Sequence, residues 1–157
     1  MVNFDYQTPT RLIFGKGVVS EKLASVMNQY GKRVLITYGG GSIKRTAPGH
    51  DKSLYDLVKD TLTDKLVFEL GGIQPNPKFN PSVVDGVRMC QDNDIDVILA
   101  VGGGSVLDCT KAIAGVAGTL KTMVTDNVEE AWDIVCGRKP TTAAVPIVDI
   151  ITMAATG

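Results

Sequence analysis

The chain has 157 residues, 44% hydrophobic and 21% charged, and carries a formal net charge of −1. That is enough for one α/β domain with a single core, and its scattered charge offers nothing to nucleic acid or an anionic membrane surface. No apolar run reaches membrane length, Met1 to Arg11 lacks a signal-peptide core, and three spaced cysteines make no disulfide framework, so a cytoplasmic protein with buried or half-buried Cys90, Cys109 and Cys136 is expected.

Arg11 to Phe14, followed by Gly15-Lys-Gly17, reads as a short edge strand and a turn. Apolar residues at helical spacing predict a helix over Val18 to Tyr30, with Gly31 as its stop. Arg33 to Tyr38 is a short apolar strand running into Gly39-Gly-Gly-Ser42. A helix over Asp51 to Thr63 and a strand over Lys65 to Leu70 follow. The two prolines of Gly71 to Pro77 then demand a loop. Pro81 to Asn93 reads as a helix with Pro81 in its first turn, and Asp96 to Val101 as a third apolar strand ending in Gly102-Gly-Gly-Ser105. The alanine-rich stretch Ser105 to Ala117 is helical with Gly118 as a stop, and Val128 to Val135 is a short helix. Ala143 to Val148 is the candidate fourth strand, weakened by Pro146.

Alternating helices and strands that are apolar on both faces predict a doubly wound parallel sheet, a Rossmann-like α/β domain covered on both sides. Such sheets bind ligands beyond the carboxyl ends of their strands, where both glycine clusters fall. In Val101-Gly-Gly-Gly-Ser-Val-Leu-Asp108 a strand passes through glycines into a helix. Glycine admits close approach of an anion, and unpaired amides at the helix start, with the helix dipole, favour a phosphate. Ser105 can add a hydroxyl. The same residues also read as a capping box, Ser105-x-x-Asp108, with an Asp108–Lys111 surface pair, and capping and phosphate binding are compatible. After the first strand, Gly39 stands where dinucleotide folds often carry a ribose-binding carboxylate. Without that carboxylate, and with Ser42, Lys44 and Arg45 nearby, the loop favours NADP(H) over NAD(H); a plain surface loop with two solvated cations is the other reading.

Gly102-Gly-Gly-Ser-Val-Leu-Asp-Cys-Thr-Lys111 resembles the GGGSxxDxxK signature of the iron-containing (group III) alcohol dehydrogenases. Pro9 to Gly17 is similar to that family's N-terminal strand, and Gly72-Ile-Gln-Pro-Asn-Pro77 to its G-x-x-P-N-P loop. Tyr38-Gly-Gly-Gly-Ser-Ile-Lys44 resembles the branch of butanol dehydrogenases and NADPH-dependent aldehyde reductases. The resemblance implies that residues 1–157 form the N-terminal dinucleotide-binding domain of the dehydroquinate synthase-like superfold. It implies that Gly103, Gly104 and Ser105 contact the pyrophosphate, that Asp108 lies near the nicotinamide end, and that Asn76 reaches the cofactor from the neighbouring strand end. Gly39, Gly40 and Ser42 would meet the adenosine ribose or its phosphate. Ile151 to Gly157 is similar to the family's T-x-x-x-TGSE loop, which puts Thr152 on the cofactor.

The family's divalent metal, iron or zinc, is held by one Asp and three His of a following helical domain, which is expected to be absent from this chain. The lone histidine, His50, in a polar loop, cannot build such a centre and reads as a surface residue. No catalytic or metal-ligating residue is therefore assigned here, and the chain alone is expected to be inactive. An intact relative would act on alcohols and aldehydes and form a homo-oligomer, and in this chain Ile147 to Met153 are expected to form a bared apolar patch through which it self-associates. Rival readings are a glycerol dehydrogenase-like or dehydroquinate synthase-like enzyme, a non-catalytic nucleotide-binding module, and a generic anion-binding domain.

Overall fold

The computed structural model describes residues 8–123 and 131–153. In chain order they form α1 (Val18–Met27), β1 (Arg33–Tyr38), a 3₁₀ turn (Gly41–Lys44), α2 (Leu54–Thr61) and β2 (Leu66–Leu70). A wide turn (Phe79–Val83) leads into α3 (Val84–Asp92), and β3 (Val97–Gly102), α4 (Gly104–Met123), α5 (Ala131–Val135) and β4 (Ile147–Ile151) follow. The strands make one sheet in the order β2-β1-β3-β4, with every pairing parallel.

Side chains alternate across the sheet, as the period of a strand requires. Val34, Ile36 and Tyr38 of β1, with Val97, Leu99 and Val101 of β3, pack under Leu23 and Met27 of α1 and Val58 of α2. Leu35, Ile98 and Ala100 face the other way, under Val87 of α3 and Ile113, Ala114 and Ala117 of α4. Helices thus cover both faces, which explains the near-continuous apolar runs of β1 and β3. Crossovers between parallel strands are right-handed. The chain moves outward from β1 to β2 but in the opposite direction from β3 to β4, so α2 and α4 lie on opposite faces. Between β1 and β3 the direction of winding reverses.

Several boundaries differ from expectation. Residues 11–14 form no strand; they have no sheet partner among the described residues, and Leu12 and Phe14 are exposed. A strand exists only through pairing, and local apolarity supplies no partner. Helix α2 starts at Leu54 because Ser53 caps it, accepting a hydrogen bond from the Asp56 amide at 3.1 Å. Regular α-helix after the loop begins at Val84, since Asn80 before Pro81 is extended. Gly118 does not stop α4. A Cβ there would stand 2.5 Å from Ala144 Cα, so this glycine lets the returning chain cross the helix closely. The fourth strand starts after Pro146, not at Ala143; proline cannot donate to the ladder, while its carbonyl accepts from the Ile98 amide at 2.9 Å. The short helix over Ala131–Val135 agrees with its expected second half, whereas Val128 to Glu130 lie outside the described residues. Cys90 and Cys109 are buried, with burial pushing their thiols up to about 12 and about 11, but Cys136 is exposed, contrary to expectation.

Candidate dinucleotide site

The carboxyl ends of all four strands come level: Thr37 pairs with Leu70, Tyr38 with Val101 and Gly102 with Ile151. The loops that leave them are stitched together. Gly72 N–H donates to the Gly39 carbonyl at 2.9 Å and Ile73 N–H to the Tyr38 carbonyl at 3.2 Å, tying the loop after β2 to that after β1. Thr152 N–H donates to the Gly102 carbonyl at 3.0 Å, tying the end of β4 to the end of β3. Val106, in the first turn of α4, fills the space between β1 and β3. A Cβ on Gly39 would lie 3.6 Å from Val106 Cγ2 and 3.3 Å from the Ile73 carbonyl oxygen, and one on Gly102 would lie 2.6 Å from Val106 Cγ2. Side chains at Gly39 and Gly102 would push these loops apart.

Helix α4 starts at this junction. The Gly103 carbonyl accepts from both Val106 N–H (3.0 Å) and Leu107 N–H (3.2 Å), so Gly103 is the N-cap. Ser105 is therefore already inside the helix, and the capping-box reading of Ser105 and Asp108 does not hold. Gly104 and Ser105 present amides that precede any in-helix acceptor, at the positive end of a 20-residue helix. Beside them, among the described residues, the nearest atom to a Cβ on Gly103 would be Met153 Cβ at 3.9 Å, and Cβ atoms on Gly40 and Gly41 would meet nothing within 4 Å.

The expected site residues are thus spread around the junction. Gly39, Gly103 to Ser105 and Thr152 meet at the junction itself. Gly40 and Ser42 lie on its β1 side, where Ser42 is exposed in the 3₁₀ turn. Asn76, on the β2 side, is exposed and holds a left-handed backbone with φ 53°, a conformation asparagine tolerates better than most residues. Asp108 is exposed one turn into α4, and no ion pair joins it to Lys111 among the described residues. His50 is an exposed loop residue, and no group of three or more His, Cys, Asp or Glu suited to a metal exists among the described residues.

Two features beside the junction were not read from the sequence. One is a polar cluster around Glu69 of β2. Its carboxylate accepts hydrogen bonds from Tyr55 Oη (2.9 Å), Lys59 Nζ (2.8 Å) and Tyr38 Oη (3.1 Å). Burial alone would raise the Glu69 pKa, but those three donors outweigh it and hold the carboxyl below its ordinary value. The other is Asp149 of β4, paired in register with Ala100, whose two carboxylate oxygens are shielded from water and have no hydrogen-bond partner among the described residues. Burial pushes it up to about 6 against the opposing pull of Lys111. On the same sheet face, Thr110 Oγ1 donates to the Val106 carbonyl (2.8 Å), leaving its oxygen to accept from Thr37 Oγ1 at 2.6 Å. Spacing alone signals neither the contacts to Glu69 nor the Thr37–Thr110 pair, since each joins residues from different elements.

The model of the iron-containing alcohol dehydrogenases matches residues 9–157. The chain belongs to that family. It is 46% identical over its whole length to a probable NADH-dependent butanol dehydrogenase of Bacillus subtilis, of which it covers 37%. It is 38% identical, also over its whole length, to the NADPH-dependent aldehyde reductase YqhD of Escherichia coli, again covering 37%. Among solved structures, the NADH-dependent butanol dehydrogenase A of Thermotoga maritima superposes with a TM-score of 0.80 at 33% identity, covering 98% of this chain and 35% of that one. The chain thus spans little more than a third of the length of these relatives.

Proposed function

We propose that this chain is the dinucleotide-binding domain of an NAD(P)-dependent, metal-containing alcohol dehydrogenase that interconverts primary alcohols and aldehydes. The observation that carries this reading is the convergence of four strand-end loops on the amide-lined start of α4, at the place where the sheet reverses its direction of winding. In open α/β sheets that crevice is where a nucleotide is held.

The residues fit a dinucleotide in character. Gly103, Gly104 and Ser105 would hold the paired phosphates through amides, the helix dipole and the Ser105 hydroxyl. Gly39, Gly40 and Ser42 would lie against the adenosine ribose and Asp108 near the nicotinamide end, with Asn76 and Thr152 reaching the cofactor from the neighbouring strand ends. When bound, the nicotinamide supplies or accepts the hydride. The chain's own part is to bind and orient the cofactor. A carboxylate-free β1 loop with Ser42 and Arg45 supports NADP(H), with NAD(H) the alternative.

The described residues do not fit the family's metal, because they bring no suitable donors together. The metal and most of the substrate pocket therefore belong to a further helical domain, and residues 1–157 alone would not turn over an alcohol. Reduced thiols fit a cytoplasmic setting, and exposed Ile151 and Met153 support self-association as a homo-oligomer.

Titration of the chain with NADPH and NADH, followed by reduced-nicotinamide fluorescence, tests the reading. Both should bind, NADPH more tightly. Gly103→Asp puts a negative charge before the helix start, in open space, and should abolish binding while leaving the melting temperature within about 2 °C. Binding that survives Gly103→Asp, or no binding by the parent chain, overturns it.

A further inference from the structure

The turn that carries Ser42 has no core of its own beyond Ile43, and Gly40 and Gly41 before it stand in open space. One side chain at its far end reaches back. Lys44 Nζ lies 4.7 Å from the Tyr38 ring centroid and 4.5 Å from that of Tyr55, and donates a hydrogen bond to Tyr38 Oη at 3.0 Å. The two rings meet edge to face with centroids 5.9 Å apart, and both hydroxyls donate to Glu69. Tyr38 ends β1, Tyr55 lies in α2 and Glu69 in β2, so the ammonium rests on two anchored elements and is linked to a third through their hydroxyls. Gly71 makes room for this, because a Cβ there would lie 2.6 Å from the Tyr38 ring. An ammonium over two aromatic faces, backed by a carboxylate, is a directed attraction.

We propose that Lys44 is a positioning residue: seated over Tyr38 and Tyr55 and linked through Tyr38 Oη to Glu69, it latches the Gly41–Lys44 turn and so fixes the surface offered to the adenosine ribose. For its functional consequence this rests on the cofactor reading above. The latch spends the Lys44 charge on the protein. Its loss therefore weakens every ligand with an adenosine ribose to the same degree, with or without a 2′-phosphate.

The test compares Lys44→Met, which keeps a long apolar stem but no charge or donor, with Lys44→Arg, which keeps both. Lys44→Met should weaken NADH and NADPH alike, each about fivefold, and leave inorganic pyrophosphate binding unchanged; Lys44→Arg should restore both nucleotides. Exchange of the Arg45 amide, which closes the turn on the Ser42 carbonyl at 3.2 Å, should speed up about tenfold in Lys44→Met and return to the parent rate in Lys44→Arg. A loss confined to NADPH would make Lys44 a direct phosphate contact and overturn the proposal. So would unchanged exchange, or weakened pyrophosphate binding, which marks a general loss of structure. If the parent chain binds neither nucleotide, the cofactor reading fails by itself, and amide exchange still decides the latch.

Discussion

Replacing Asp149 by Asn should make the domain more stable, and only above the acid range. Asp149 lies on edge strand β4 beside Ala100, with both carboxylate oxygens shielded and unpartnered. Burial raises its pKa from 3.8 to about 6. The folded state thus binds the proton more tightly than the unfolded chain does. Its contribution is fully present below the unfolded pKa and is lost as pH rises through the folded one. A shift of about two units at about 1.36 kcal/mol each sets an upper limit of about 3 kcal/mol. Solvent close to this half-buried residue lowers that limit even though its oxygens are covered, and the neutral amide inherits part of the polar mismatch; about 1 to 2 kcal/mol remains. Urea unfolding of the parent and Asp149→Asn at several pH values reads this directly. The variant should gain about 1 to 2 kcal/mol at pH 8, and the gain should shrink through pH 6 and vanish near pH 4. An equal gain at pH 4 and pH 8, or none at pH 8, would show that Asp149 is solvated or paired and refute the reasoning.

Other substitutions probe the remaining devices. Ser53→Ala removes the cap of α2 and should cost about 1 kcal/mol in the same unfolding assay. Gly118→Ala places a methyl 2.5 Å from Ala144 Cα, against backbone that cannot rotate away, and should cost about 1 to 3 kcal/mol. Thr110→Val leaves the buried Thr37 hydroxyl without its acceptor and should cost about 1 to 3 kcal/mol, whereas Thr37→Val with Thr110→Val should recover much of that loss.

Much of the architecture was legible because it rests on periodicity. The run Arg33 to Tyr38 reads as a strand with its observed bounds, and Asp96 to Val101 misses the observed β3 by one residue at each end. The two glycine clusters fall at strand ends as expected, and within them Gly39 and Gly102 mark close approaches. Expectations failed where a distant partner decides. Arg11 to Phe14 has the apolarity of a strand but no neighbour to pair with among the described residues. Gly118 reads as a helix stop and is instead a crossing point, a role visible only once Ala144 lies against α4. Ser105 reads as a cap but lies inside the helix, because the first helical hydrogen bonds end on the Gly103 carbonyl.

The sequence by itself determined the α/β class, the apolar strands and the two glycine-rich bends, because backbone preference and burial pattern are local properties of the chain. Only the tertiary structure decided that β1 and β3 lie side by side with their loops held together through Gly39, Ile73, Val106 and Thr152. It alone joined Lys44, Tyr38, Tyr55 and Glu69 into one cluster and left Asp149 without a partner. These are contacts between residues far apart in the chain, and their energies depend on distances that only packing fixes.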